Sequence, residues 1–301
     1  MKHPLANLFL ALRPKQWTKN LVVIAPLLFA LGDKLQEVKP GAGRIACFAA
    51  LIFCAVSSGI YLFNDIKDAK ADRLHPVKKL RPIASGALPV SNAYTISLLL
   101  LATGLIGAWF LPRSFLSVVA GYILLQITYT LFLKKVALID SMVIATGFVL
   151  RAMAGAMAVD VYISPWLLLC AFLLALFLAL CKRRHEKVTL AEELEGETRA
   201  SLDQYDAKLL DLLIAIVSSA TIVSYALYTL WPDTVTKFGT VRLGLTIPFV
   251  IFGLFRYLDL VYRHDKGDQP EQILLTDIPL LIDLLLYGVA VFAILFFRYT
   301  T

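Results

Sequence analysis

Cysteine and histidine are scarce in this chain, with four of each in 301 residues. Cys47, Cys54, Cys170 and Cys181 lie inside apolar runs without CxxC spacing, which excludes a disulfide framework and a zinc ribbon and leaves them as packing thiols. His75, His185 and His264 stand at no ligand spacing, so a histidine metal centre is not expected. Charge is scarce as well. Charged residues make up 17% against 59% hydrophobic, at a mean hydropathy of +0.74, more apolar surface than a soluble core of this length can bury. A water-soluble protein is thereby excluded, and an all-α integral membrane protein is expected. No linker, low-complexity tract or fixed-period repeat divides the chain, so residues 1–301 read as a single transmembrane domain. The opening MKHPLANLFLALRPKQWTKN lacks a small-residue cleavage site, so the first span is expected to remain in the membrane.

What is present is a series of apolar runs. Runs suited to crossing about 30 Å of hydrocarbon are placed at 19–32, 44–63, 91–111, 115–133, 138–159, 164–181, 208–231, 241–258 and 278–297, giving nine transmembrane helices. Pro26 interrupts the first, which is tolerable where neighbouring helices satisfy the freed carbonyl. Of the 29 Lys and Arg, 21 fall in the N-terminus and the connections after helices two, four, six and eight. Seven fall on the opposite side, and Arg151 lies within helix five. The positive-inside rule then places the N-terminus and those connections in the cytoplasm and the C-terminus outside a bacterial inner membrane. The cytoplasmic stretches 64–90, 182–207 and 259–277 are long and polar, whereas outer connections are a few residues. Long connections on one face commonly carry function.

The densest chemistry is at the end of the second run, YLFNDIKDAKAD from Tyr61 to Asp72. On a helix, Asp65, Asp68 and Asp72 project within about 60° of one another over roughly 10 Å of axis. A solvated helix end pairing with Lys67, Lys70 and Arg73 is the bland explanation. Carboxylates gathered beside hydrocarbon instead point to a cation or ligand that engages them. Magnesium prefers oxygen ligands and is typically held by one or two carboxylates plus substrate phosphates. Asn64, Asp65, Asp68 and Asp72 are therefore the expected metal face, holding Mg²⁺ against a diphosphate. Downstream, RLHPVKKLRPIASG offers Arg73, His75, Lys78, Lys79 and Arg81 to phosphate oxygens while Pro76, Pro82 and Gly86 shape a loop. Topogenic charge is the competing explanation.

Other basic groups have similar rivals. Lys15 and Lys19 can meet a lipid phosphate, or with Arg13 and Trp17 can form an interfacial anchor. Lys182, Arg183, Arg184 and Lys187 form the densest positive run, beside His185 and Glu186. Arg151 is a formal charge within a span and demands a partner or a polar cavity, with Asp140 too many turns away to pair.

NDxxDxxxD at Asn64 to Asp72, followed by HPVKKLRPIASG at His75 to Gly86, resembles the first aspartate-rich motif of the UbiA superfamily of intramembrane prenyltransferases. The nine-helix count fits that fold. LRPKQWTKN at Leu12 to Asn20, KRRHEKV at Lys182 to Val188 and FRYLDLVYRHDKGDQPEQILLTD at Phe255 to Asp277 resemble one branch, the decaprenyl-phosphate phosphoribosyltransferases, over nearly the whole chain. The resemblance implies transfer of 5-phosphoribose from phosphoribosyl diphosphate to a polyprenyl phosphate, with Mg²⁺ as cofactor and a product that feeds arabinose donors for envelope polysaccharides. It makes Asp65, Asp68 and Asp72 catalytic, and Lys15, Lys19, Asn64, Arg73, Lys78, Lys79 and Arg81 substrate-binding. Lys182, Arg184 and Lys187 would meet a sugar phosphate from cytoplasmic loops that cap the site. Classical members carry a second motif of DxxxD type after the sixth helix, and LDQYDAKLLD at Leu202 to Asp211 departs from it. Asp203 and Asp206 can still share a helix face and are expected to bind substrate, and Tyr205 is expected to be catalytic, orienting a substrate where other members place an acid.

Two rival functions stay open at this point. The same fold alkylates aromatic acceptors with a prenyl diphosphate, and the acidic motif alone does not separate the two reactions. A membrane transporter would need polar groups near the bilayer midplane, where only Arg151 is expected. A CDP-alcohol phosphotransferase is excluded because no acid of the cluster is followed by glycine. A membrane setting is required, no nucleic-acid partner is expected, and homo-oligomerisation is left open.

Overall fold

Helix lengths in the computed structural model follow the apolar runs and in two places overshoot them. The structure describes residues 4–74, 77–193, 204–263, 273 and 276–296, and among these there is no strand. The elements are α1 (Pro4–Ala11), a 3-10 helix (Pro14–Val23), α2 (Ala25–Gly32), α3 (Ala42–Leu74), α4 (Val90–Trp109), α5 (Arg113–Leu131), α6 (Ile139–Val159), α7 (Pro165–Glu193), α8 (Ala207–Leu230), α9 (Pro232–Phe238), α10 (Ile247–Arg263) and α11 (Ile278–Phe296). Eight segments among the described residues are long and apolar enough to span a membrane. They coincide with the second to ninth expected runs.

The expected first span, 19–32, is the exception. Pro26 has no N–H to offer the carbonyl of Val22 and its ring crowds that carbonyl, so a continuous α-helix is interrupted. The chain instead turns tightly, with Ile24 N–H donating to Leu21 O at 2.9 Å and Leu27 N–H to Ile24 O at 3.1 Å. Among the described residues eight uninterrupted spans are present, where nine were expected.

The 33 residues of α3 amount to about 50 Å, more than the hydrocarbon thickness of about 30 Å. Its acidic end therefore continues as helix beyond the apolar run, where a polar connection was expected from residue 64. The 29 residues of α7 do the same for Lys182 to Lys187. The expected capping loops fall mostly on 194–203 and 264–272, outside the described residues.

The chain divides into two compact units. The first comprises Met1–Leu28, Val38–Lys134 and Gly147–Tyr162. Its core is built where α3 packs on α4 and α5, around Phe53, which meets Phe115 edge-on at 6.2 Å and Tyr122 at 5.3 Å between ring centroids. Small residues let helices approach: a Cβ on Gly104 would stand 2.3 Å from Val56 Cγ2, and one on Gly155 only 1.9 Å from the carbonyl oxygen of Val23.

The second unit comprises Phe29–Glu37, Lys135–Thr146 and Ile163–Thr301. Here α7 packs on α8, and α10 on α11, with Phe177 and Tyr257 edge to face at 5.6 Å. Inside a span every polar group needs a partner. The hydroxyls of Tyr225 and Thr246 meet at 2.6 Å, and Tyr225 donates to the Tyr287 hydroxyl at 3.2 Å. Asp283 on α11 is a second charge within a span that sequence reading passed over. It is 7% exposed, lies against Gly253, and has no ionic partner among the described residues.

Gly155→Ala should lower the thermal midpoint of the detergent-solubilised protein by the equivalent of about 1–3 kcal/mol, because the atom that must yield is backbone. A melting curve matching wild type would show that the Val23 turn is free to move.

Candidate active site

Each unit carries one principal polar cluster. In the first, α3 presents Asn64, Asp65, Asp68 and Asp72, and each carboxylate holds a cation. Arg13 Nη2 donates to Asp65 Oδ1 at 2.5 Å, and Arg81 Nη1 bridges Asp65 Oδ1 at 3.1 Å and Asp72 Oδ2 at 2.7 Å. Lys134 Nζ pairs with Asp68 and lies 3.4 Å from Asn64 Oδ1, while Asn64 Nδ2 donates to Asp68 Oδ2 at 3.0 Å. Asp65 and Asp72 are buried. Without these cations, three acids on three turns would repel one another.

Three separate pieces of chain supply the cations. Arg13 stands between α1 and the 3-10 helix in the left-handed conformation, φ 54°, before Pro14, and its guanidinium also lies over the Tyr61 ring at 5.2 Å. The adjoining 3-10 helix is pinned to α3: Trp17 Nε1 donates to Ser58 Oγ at 3.0 Å, and Ser58 Oγ to Leu12 O at 2.9 Å. Trp17 is thus tied to a helix as well as suited to an interface. Arg81 comes from the loop after α3, where Arg73 Nε donates to Ala84 O at 3.2 Å. Lys134 follows α5.

Of the expected site residues, the fold gathers Asn64, Asp65, Asp68, Asp72 and Arg81 into one cluster, with Arg73 bracing the loop. Lys15 and Lys79 are exposed, Lys19 and Lys78 half-buried. Arg13 as an ion-pair partner and Lys134 altogether escaped sequence reading. Their signals were an arginine directly before proline and a Lys–Lys doublet at the end of an apolar run.

The donor set suits a hard divalent cation. Among the described residues no three acidic, histidine or cysteine side chains enclose a metal by themselves. Mg²⁺ needs only one or two carboxylates when substrate phosphates complete its shell, and four oxygen-bearing side chains lie within three turns of α3.

The second unit holds a different cluster. Tyr205, buried, donates its hydroxyl to Asp140 Oδ1 at 2.8 Å and accepts the Leu138 N–H at 2.6 Å. Leu138 is left-handed, φ 67°, a conformation costing a residue with a Cβ about 1–2 kcal/mol, and the tyrosine braces it. Asp140 Oδ2 also pairs with Arg183 Nε at 3.2 Å, and Arg183 pairs with Glu186. Arg183 is thereby turned into the protein, away from any ligand role. Arg184 Nε donates to Asp211 Oδ1 at 2.7 Å and its guanidinium lies 3.8 Å over the Tyr262 ring. Lys182 and Lys187 are half-buried on α7.

Asp206 is exposed at the N-cap of α8 with extended backbone, φ −95° and ψ 142°. It therefore precedes the helix, and the expectation that it shares a helix face with Asp203 does not hold; Asp203 itself lies outside the described residues. Among the described residues of the segment from Phe255 to Asp277, Arg256 grips Asp277 through Nε and Nη2 at 3.1 and 2.8 Å and reaches Asp259 at 2.8 Å. Asp277 in turn caps α11 through the Leu280 N–H at 3.0 Å. A cavity of about 290 Å³ between α8 and α10 is rimmed by Asp211, Asp259 and Arg263, charges already paired.

A multi-pass helical membrane protein with a carboxylate–cation cluster at the projecting end of one long span is the class these features define. The chain belongs to the UbiA prenyltransferase family, whose model matches residues 22–187. It is 34% identical over 283 residues to the decaprenyl-phosphate phosphoribosyltransferase of Mycolicibacterium smegmatis, covering 92% of this chain and 88% of that one. It is 36% identical over 275 residues to the Corynebacterium glutamicum protein of the same name, covering 89% and 80%. Its fold is similar to that of a UbiA homolog from Archaeoglobus fulgidus bound to GPP and Mg²⁺, with TM-score 0.71 and 18% identity over 96% of this chain and 99% of that one.

Burial raises the Tyr205 phenol above its ordinary value of 10.0, with the hydrogen bond from Ser141 opposing and that to Asp140 adding to the shift. A group raised in the folded state contributes stability that is complete below its unfolded value and is lost as pH rises through the folded one. Wild-type melting temperature should therefore fall above about pH 10. Tyr205→Phe should be destabilised by about 1–2 kcal/mol at neutral pH and lack this alkaline component. Identical pH–melting profiles would remove the bracing role.

Proposed function

We propose that this chain transfers 5-phosphoribose from phosphoribosyl diphosphate to a polyprenyl phosphate of decaprenyl type, releasing diphosphate. The observation that carries the reading is the set of three carboxylates, each held by a basic side chain, in a chain matching proteins of that printed name over about nine-tenths of its length. Asp65, Asp68 and Asp72, with Asn64, would hold Mg²⁺, which when bound neutralises diphosphate oxygens and eases the departure of the leaving group.

The remaining chemistry falls to the chain's own groups. Arg13, Arg81 and Lys134 meet the negative charge that grows on the diphosphate as the anomeric carbon–oxygen bond breaks and its electron pair leaves with the diphosphate. The ring oxygen shares the positive charge left on carbon. A polyprenyl phosphate oxygen, already ionised near neutral pH, attacks from the opposite face and forms the new bond, so no strong general base is needed. Positioning and electrostatics supply most of the acceleration.

Lys15, Lys19, Lys78 and Lys79 are the candidates for lipid and donor phosphates, and Arg73 acts by bracing the loop that carries Lys78 and Lys79. Lys182 and Lys187 are the candidates for a sugar phosphate, with Arg184 and Asp206 beside them at the ends of α7 and α8. Tyr205 acts by positioning, since its hydroxyl is spent on Asp140 and Leu138. The reading places the chain in a bacterial inner membrane with its N-terminus and the acidic helix end cytoplasmic and its C-terminus outside, as the distribution of basic residues supports.

The experiment offers the purified protein labelled phosphoribosyl diphosphate with a polyprenyl phosphate and, separately, a prenyl diphosphate with 4-hydroxybenzoate, each with and without Mg²⁺. Labelled lipid in the first assay, abolished by chelation, is the expected result; product only in the second would reassign the donor. Asp65→Asn and Asp68→Asn should each lower turnover by about 10²–10³-fold while leaving the protein folded. Near-normal rates in both would reduce the cluster to a solvated helix end.

A further inference from the structure

The cavity of about 290 Å³ between α8 and α10 lies along the first turns of one span and the last turns of the other. Asp211, Ile214 and Ala215 stand about 6–12 Å along α8 from Ala207, and Leu258 about 8 Å along α10 from Arg263. The lining away from the span ends is apolar, formed by Ile214, Ala215 and Leu258, with Leu212, Ile216 and Phe255 exposed on the same two helices. A groove of this kind left empty would forfeit the dispersion contacts of its lining. An apolar chain restores them.

The charges at the mouth say which kind of molecule carries that chain. Asp211 Oδ1 accepts from Arg184 Nε and from the Tyr262 hydroxyl, each at 2.7 Å, and the Arg184 guanidinium lies over the Tyr262 ring. Asp259 is held by Arg256 Nη1 at 2.8 Å. Both acids are satisfied within the protein, so the mouth offers no carboxylate to a metal or an amine. Two basic groups are left over. Arg263 has 80% of its side chain exposed, and its ion pair with Asp259, through Nε at 3.4 Å, is an exposed i,i+4 contact of small worth; its Nη groups have no partner among the described residues. Lys208 is exposed, stands one turn before Asp211 on the same face of α8, and pairs with no acid among the described residues. A helix from a second copy would cover the apolar lining and leave both cations without anions. A lipid with a phosphate head answers both requirements, hydrocarbon below and negative charge above.

We propose that this groove binds one anionic glycerophospholipid, with an acyl chain against Ile214, Ala215 and Leu258 and its phosphate met by Lys208 and Arg263. Arg184 and Tyr262 are positioning residues, fixing Asp211 and with it the wall of the groove. In the orientation proposed above, the lipid belongs to the cytoplasmic leaflet and joins the inner ends of two spans. The site does not depend on which transfer reaction the chain performs.

The test is native mass spectrometry of the full-length protein in detergent, titrated with phosphatidylglycerol and with phosphatidylcholine of the same acyl chains. Wild type should retain one phosphatidylglycerol about tenfold more tightly than phosphatidylcholine, and its melting temperature should rise with phosphatidylglycerol concentration. Lys208→Gln and Arg263→Gln, both at exposed side chains, should each weaken phosphatidylglycerol by about fivefold and leave phosphatidylcholine unchanged. Ala215→Trp fills the groove and should abolish the tight site. Equal affinity of wild type for the two lipids, or phosphatidylglycerol binding untouched in the Lys208→Gln and Arg263→Gln proteins, overturns the proposal. Displacement of the bound lipid by equimolar farnesyl phosphate also overturns it, by assigning the groove to a polyprenyl phosphate. Loss of a dimer in Ala215→Trp with lipid binding intact overturns it in favour of a second copy. Because the readout is bound mass, failure of phosphoribosyl transfer would remove the functional reading and leave this site standing.

Discussion

Three carboxylates within eight residues of one helix are mutually repulsive, and beside hydrocarbon they lack the water that would screen them. The first unit resolves this with Arg13, Arg81 and Lys134, drawn from an N-terminal turn, the loop after α3 and the end of α5. Much of that unit's local structure serves these contacts. The left-handed backbone at Arg13, the Trp17–Ser58–Leu12 pinning and the Arg73 brace all hold a cation-bearing segment in place. The arrangement sets a basic side chain against each acid.

The same constraint explains the interior of the spans. Hydrocarbon offers no hydrogen bonds, so polar groups there are collected into small networks: Arg151 with Asn20 and Tyr122 in one unit, Tyr225 with Thr246 and Tyr287 in the other. Asp283 is the group left out of such a network. In the second unit the Tyr205–Asp140–Arg183 contacts work as a brace, and they turn a basic residue inward that charge counting would have assigned to a ligand.

Eight of the apolar runs and the acidic motif were legible because each rests on residues close together in sequence. A run of apolar residues long enough to cross a bilayer has few alternatives to a helix, and the spacing of Asp65, Asp68 and Asp72 alone puts them on one face. Legibility failed where a single residue overrode composition, as Pro26 did by breaking the first span. It failed again where helices outran their apolar stretch, as α3 and α7 do, because polarity marks the membrane edge and not the end of hydrogen bonding. Asp206 was misjudged for a related reason: its backbone is extended at a cap, which carboxylate spacing does not reveal.

The sequence by itself determined the membrane class, the positions of the uninterrupted spans and the carboxylates that mark the candidate site, since these depend on hydropathy and on helical period. Only the tertiary structure decided which charges meet. Arg13 is 52 residues from Asp65 and Lys134 is 66 from Asp68, separations over which chain connectivity imposes no distance. Whether a lysine or arginine becomes a ligand, a brace or a solvated charge is set by the packing of helices around it, and that is a property of the folded chain.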